Sequence, residues 1–164
     1  MFDICFLIFL KKIMIWKPNV TVAAVIEQEG KYLLVEEEAE TGTGMLLNQP
    51  AGHLEPGESI IQGAIRETLE ETAYTFEPEY LLGIYQWYSN SNDTTYLRFA
   101  FGGSVPGHDA SRVLDKGIYR ADWFNHSDIS KAIHRHRSPL VMTCIQDYVA
   151  GKRYPLALLA HYSN

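Results

Sequence analysis

From Asn19 onward the apolar and polar positions fall into a readable order. Val20, Val22, Ala24 and Ile26 share one face of an extended segment, and Thr21, Ala23 and Val25 share the other. Both faces are mostly apolar, which predicts a strand buried on both sides. Gln28-Glu29-Gly30 predicts a turn. Tyr32 to Val35 predicts a second strand, ended by Glu36, Glu37 and Glu38, and residues 40–44 predict a loop. Met45 to Leu47 forms a further short strand leading into Gln49-Pro50-Ala51-Gly52.

A helix follows. Ser59 is a good N-cap and Gln62 completes a capping box. The helix should run from Ile60 to Thr72, and Pro78 bars a long extension. Tyr80 to Tyr88 and Thr94 to Phe101 predict two strands joined by a hairpin turn over residues 90–93. Residues 102–116 read as a loop and Gly117 to Phe124 as a strand. Ser127 to His134 and Pro139 to Val149 read as helices, and a tail follows from Pro155. Strands and helices mix, with hairpins dominant, so the class is α+β or a layered α/β/α arrangement.

Composition narrows this little but usefully. The chain has 164 residues, 46% hydrophobic, 12% aromatic and 21% charged, as in a globular protein of one domain. The net charge of −6 argues against nucleic-acid polymers as the main partner. The two cysteines, Cys5 and Cys144, have no metal-site spacing, which suits a reducing, cytoplasmic setting.

Residues 1–10 are nearly all apolar and precede Lys11 and Lys12. The charge order is wrong for a secretion signal, and the run is about half of the ~20 residues a spanning helix needs. No membrane role is expected. Residues 1–13 are then either an extra apolar segment or the product of a mis-assigned start. The patterned sequence begins after Met14, which favours the second reading and a domain over 14–164.

The helix carries the chemistry. At ~100° per residue, Glu67, Glu70 and Glu71 fall on one face, with Cβ atoms within ~5–6 Å of one another. Ile61, Ala64, Ile65, Thr68 and Thr72 cluster on an anchoring side. Gly63 falls on the acidic face and leaves room there. Arg66 is one local counter-charge, too little for three carboxylates with Glu55 and Glu58 just upstream. A hard divalent cation would balance them, and would let an acidic protein hold a polyphosphate.

The spacing G-x5-E-x7-R-E-x2-E-E, from Gly52 through Glu58 and Arg66 to Glu71, resembles the signature box of the Nudix hydrolases. Thr68 replaces the usual aliphatic residue, and Ala73 replaces the usual glycine at the helix C-cap. The likeness extends over most of the chain. Residues 17–22, 48–55, 86–87, 97–99, 137–141 and 151–156 are similar to the NudJ-type phosphatase subgroup, although Leu47 stands where that pattern often has tryptophan.

The resemblance implies a Nudix α/β/α sandwich with a mixed sheet and a Mg²⁺ or Mn²⁺ cofactor. It implies that phosphate is removed from nucleoside di- and triphosphates, and from thiamine pyrophosphate or hydroxymethylpyrimidine pyrophosphate. A monomer or homodimer is expected. Glu67, Glu70 and Glu71 would hold metal with the carbonyl of Ala51, and Glu67 would be metal ligand or general base. Arg66 would hold the carboxylates in place and Glu58 would tie the loop to the helix. Asp115 and Glu55 are candidates for one more carboxylate outside the box.

Substrate contacts are expected from four residues, each with a plainer alternative. Arg98 meets phosphate or a surface ion pair. His53 meets substrate or solvent. Trp87 stacks on a ring or packs in the core. Arg137, placed at a helix start, meets substrate or a structural anion. A Nudix enzyme of other specificity, acting on damaged nucleotides or nucleotide sugars, and a non-catalytic nucleotide-sensing module are the competing functions.

Overall fold

A computed structural model describes residues 16–39, 42 and 44–163. The segment 1–13 and Cys5 lie outside the described residues. The elements are β1 (Asn19–Val25), β2 (Glu27–Gln28), β3 (Lys31–Glu38), β4 (Met45–Asn48), β5 (Ala51–His53), α1 (Ile60–Thr72), β6 (Tyr74–Ser89), β7 (Thr94–His108), β8 (Ile118–Asn125), α2 (His126–Lys131) and α3 (Leu140–Val149). Short 3₁₀ turns cover Ile133–Arg135 and Leu156–Leu158.

One sheet has the order β5-β1-β7-β6. Its β1–β7 pair is parallel and its other pairs are antiparallel, so the sheet is mixed. In the second sheet β3 pairs with β2, β4 and β8. The alternation along β1 is used as predicted. Val22 and Ala24, with Ile26, join Phe76, Phe101 and Ala64 of α1 in one core. Ala23 and Val25 join Val141, Cys144 and Ile145 of α3 in the other. A sheet flanked by α1 and α3 is the expected sandwich. Among the described residues no helix is long and apolar enough to cross a membrane.

Four elements differ clearly from the sequence expectation. Strand β3 does not end at Val35 but runs through the glutamates to Glu38. Each carboxylate has its own place: Glu36 is buried and accepts hydrogen bonds from Arg120 at 2.7 Å and Arg135 at 2.6 Å. Strands β6 and β7 are longer than predicted, and residues 102–108 are strand rather than loop. The glycines there mark close approach. A Cβ on Gly103 would lie 2.1 Å from the carbonyl oxygen of Glu77, and one on Gly102 would lie 2.2 Å from the Tyr80 ring. Pro78 is accommodated because β6 is an edge strand with a register shift beside it. The helix expected over 127–134 is split into α2 and the 3₁₀ turn. That turn delivers Arg135 to Glu36 and lets the His136 ring reach the Ile129 carbonyl at 3.0 Å.

Helix α1 has the predicted bounds, and both bonds of the Ser59–Gln62 capping box are present. Its C-cap, Ala73, is left-handed at φ 60. A Cβ is strained there, so Ala73→Gly should raise stability by up to about 1 kcal/mol, read from urea midpoints. Glu36 generates a pH prediction. Burial alone would raise its pKa, but the hydrogen bonds from Arg120 and Arg135 outweigh it and hold the carboxyl below the ordinary value of 4.5. The unfolded chain therefore takes up this proton first as acid is added. The stabilisation is complete above the unfolded value and is lost as pH falls through the folded one. Glu36→Gln should be less stable than wild type at pH 7, and the gap should narrow in acid. A gap that widens in acid would contradict the sign.

Candidate active site

The site grows out of the turn before α1. Glu58 accepts the backbone N–H of Glu55 at 2.7 Å, which closes the turn. It also takes two bonds from Arg66, at 3.0 Å from Nε and 2.7 Å from Nη2. The guanidinium then donates from Nη1 to Glu67 at 2.8 Å and Glu70 at 3.0 Å, and from Nη2 to the His53 carbonyl at 3.0 Å. A guanidinium has five N–H groups. Here all five are engaged, on three carboxylates and one strand carbonyl. Arg66, expected to hold the carboxylates, bonds Glu67 and Glu70, and Glu58, expected to tie the loop to the helix, bonds both the turn and Arg66. The hydrogen bonds from Arg66 hold the Glu58 carboxyl below its usual range.

Glycine makes the convergence possible. A Cβ on Gly52 would sit 2.2 Å from Oε1 of Glu67, so the carboxylate occupies the space a side chain would fill. At Gly63 a Cβ would meet Oε1 of Glu58 at 2.9 Å. Glu71 turns toward β5 and accepts the N–H of Ala51 at 2.8 Å. Glu67 and Glu71 are both buried. Burial raises both carboxyls, Glu71 the more, and their mutual charge and that of Asp115 add to the effect at Glu71.

The donor set can be tested against a divalent cation. All the candidate donors are hard oxygens, and two are buried carboxylates whose charge is under-compensated by one arginine. A cation suits that charge deficit. Among the described residues no three acidic, histidine or cysteine side chains converge on one point. Mg²⁺ ordinarily takes one or two carboxylates and completes its shell with water and substrate phosphate, so a full protein cage is not its usual site. The residues fit the group.

Beside the box lies a cleft of about 540 Å³. It is reached through Ala51 and Gly52, and His53, Trp87, Arg98 and Arg137 all line it. All four predicted contact residues are thus brought together. Arg98 is buried, which excludes the surface ion pair. Among the described residues its Nε and Nη1 have no hydrogen-bond partner. Burial lowers its pKa, countered by the nearby Cys144, Glu37 and Glu71. An arginine keeps its charge even so. Thr21 Oγ1 and Asn48 Oδ1, also in the cleft wall, are likewise buried without partners among the described residues. Trp87 packs against the core and also lines the cleft. His53 is exposed at the rim.

Arg137 needs a correction. It stands before α3, which begins at Leu140, and is not at the helix start. Its backbone N–H is bound to the Leu47 carbonyl at 2.9 Å, and its Nε lies 3.9 Å from Glu37. Of the two carboxylates considered outside the box, Asp115 lies by the acidic face, its N–H bound to the Glu70 carbonyl at 3.0 Å. Glu55 is exposed on the turn. Glu37 was missed as a cleft residue. Glu36 and Glu37 are successive residues of β3 and so face opposite sides of the sheet, an alternation hidden in the sequence because the glutamates read as the end of the strand.

Comparison with known proteins agrees with this geometry. The NUDIX domain signature matches residues 16–143. Phosphatase NudJ of Shigella boydii is 39% identical over 149 residues, covering 90% of this chain and 94% of that protein. A NUDIX hydrolase from Nitrosomonas europaea is 63% identical, with a TM-score of 0.87 over 89% of this chain and 98% of its own. The NUDIX domain of Shewanella oneidensis NrtR, solved with ADP ribose, shares 18% identity and a TM-score of 0.66 over 92% and 99% of the two chains, a likeness of fold alone. With its box and sandwich in place, the chain belongs to the Nudix family and is a hydrolase of phosphoanhydride substrates.

Proposed function

We propose that the protein is a NudJ-type phosphohydrolase dependent on Mg²⁺ or Mn²⁺. It removes phosphate from nucleoside tri- and diphosphates, and from thiamine pyrophosphate or its hydroxymethylpyrimidine pyrophosphate precursor. It works in the cytoplasm as a monomer or homodimer, with residues 14–164 as its one domain. The observation that carries the reading is Arg98, a buried guanidinium whose Nε and Nη1 have no partner among the described residues, in the cleft that adjoins the acidic helix. A phosphate group supplies the charge and acceptors that Arg98 lacks.

In the reaction water attacks one phosphorus of the phosphoanhydride, the bridging P–O bond on the opposite side breaks, and the bridging oxygen leaves with the other phosphate group. Glu67, Glu70 and Glu71 would hold the metal with the Ala51 carbonyl. Bound there, a divalent cation would polarise the phosphoryl oxygens and lower the pKa of the attacking water. Glu67 would act either as one of the metal ligands or as the general base that takes the proton of the attacking water. Arg66 keeps Glu67 and Glu70 oriented, so their positions are set before substrate arrives. Arg98 and Arg137 neutralise phosphate charge in the cleft. Trp87 offers a face to the ring of the substrate.

Phosphate release with Mg²⁺ from a panel of nucleoside di- and triphosphates and thiamine pyrophosphate tests this. Orthophosphate from the wild type, lost in Glu70→Gln, is expected. Pyrophosphate with a nucleoside monophosphate would instead indicate a Nudix enzyme of other specificity, and binding without turnover would indicate a sensor. Gly52→Ala provides a sharper geometric test. The added Cβ displaces the Glu67 carboxylate, so kcat should fall on the order of a hundredfold while the thermal midpoint changes little. Unchanged kcat would remove Glu67 from the reaction.

A further inference from the structure

The cleft has a second end, of which the proposed chemistry uses Trp87 alone. Strand β6 and strand β7 meet there in a turn over residues 90–93, with Ser89 paired to Thr94. Ser89, Ser91, Asn92 and Tyr96 line the cleft together with Trp87. Trp87 and Tyr96 are opposite one another across the strands, and their rings stack at 5.4 Å between centroids and 21° between planes. The turn is held to this pair. The Asn92 amide nitrogen donates to the Tyr96 hydroxyl at 2.8 Å, and Thr94 Oγ1 donates to the Asn92 carbonyl at 2.9 Å. The hydroxyls of Ser89 and Ser91 are 2.9 Å apart. The Asn92 contact fixes one end of its amide and leaves the other end for a further bond.

Tyr96 and Arg98 are two residues apart on one face of β7, so their backbones are separated by one pleat, ~7 Å. Aromatic surface and hydrogen-bonding edge groups thus stand at one end of the cleft, and the buried cation stands further along it. This is the layout for a ligand with a heteroaromatic ring at one end and phosphate at the other.

We infer that the β6–β7 turn selects the ring of the substrate: Ser91 and Asn92 hydrogen-bond the edge of a nitrogen heterocycle seated beside Trp87 and Tyr96. The inference rests on the proposed phosphohydrolase reading for its ligand class, and it assigns specificity to residues that take no part in bond breaking. Tyr96 acts as the positioning residue, through the hydroxyl that holds the Asn92 amide. A site of this kind discriminates by leaving its polar groups unpaired when the wrong ring edge is presented.

The test measures binding by calorimetry, since that does not depend on turnover. The ligands are cytidine, uridine, adenosine and guanosine monophosphates and thiamine monophosphate, with methyl phosphate as the control without a ring. The wild type should bind the ring-bearing ligands unequally. Ser91→Ala/Asn92→Ala should weaken the preferred ring by about tenfold and flatten the differences among rings. Methyl phosphate binding should stay unchanged. Tyr96→Phe keeps the stack and removes the hydroxyl, so it should lose part of the same discrimination. Equal weakening of every ligand, methyl phosphate included, or no change in any of them, would overturn the inference. An enzyme that hydrolyses none of its panel yet loses ring discrimination in these variants would refute the phosphohydrolase reading and leave this one standing.

Discussion

One guanidinium organises this molecule's chemistry. Arg66 takes Glu58 from the turn, Glu67 and Glu70 from its own helix, and a carbonyl from β5 into a single planar network. Like charges on one helix face repel, and Arg66 offsets part of that repulsion at Glu67 and Glu70 from within the same helix. The arrangement also joins α1 to β5, the strand that borders the cleft. Orientation of the carboxylates and attachment of the helix are therefore one interaction, not two.

The network can exist because backbone approaches closely where side chains are absent. Gly52 admits the Glu67 carboxylate to the surface of β5, and Gly63 admits Glu58 to the surface of α1. Glu71, one turn of helix beyond Glu67, is then close enough to accept from Ala51. Burial on both faces of β1 holds the frame rigid. Val22 and Ala24 pack toward α1 while Ala23 and Val25 pack toward α3. The strand that anchors the acidic helix also backs the ligand cleft, since Thr21 at its start lines that cleft.

How much of this was legible from the residues depended on the range of the interaction. The helix, its cap, its acidic face and the two-sided strand follow from local spacing, and they stand as expected. So does the placing of Tyr96 and Arg98 on one face of β7, because strand alternation has only two outcomes. What was not legible rests on distant partners. Glu36 to Glu38 read as a strand end because carboxylates are costly to bury, and only Arg120 and Arg135, far along the chain, make Glu36 a strand residue. Gly102 and Gly103 read as loop because close approach by Tyr80 and Glu77 is invisible in their neighbours. Arg137 read as part of a helix start, since the contact that holds its backbone is with Leu47 on β4, far back along the chain.

The pairing of β6 with β7 has an evolutionary consequence. Trp87, Tyr96 and Arg98 reach the cleft only because a pleated strand presents every second residue to the same side. Inserting or deleting one residue between Tyr96 and Arg98 would not lengthen or shorten the cleft. It would send one of the two into the core that receives Phe99 and Phe101 and bring an apolar side chain out in its place. Descendants of this protein can therefore change their ligand by substitution along the strands, or by insertion in the turn at 90–93, where no pleat has to be kept. Length variation among such descendants should gather at that turn and avoid the strand segment beyond it.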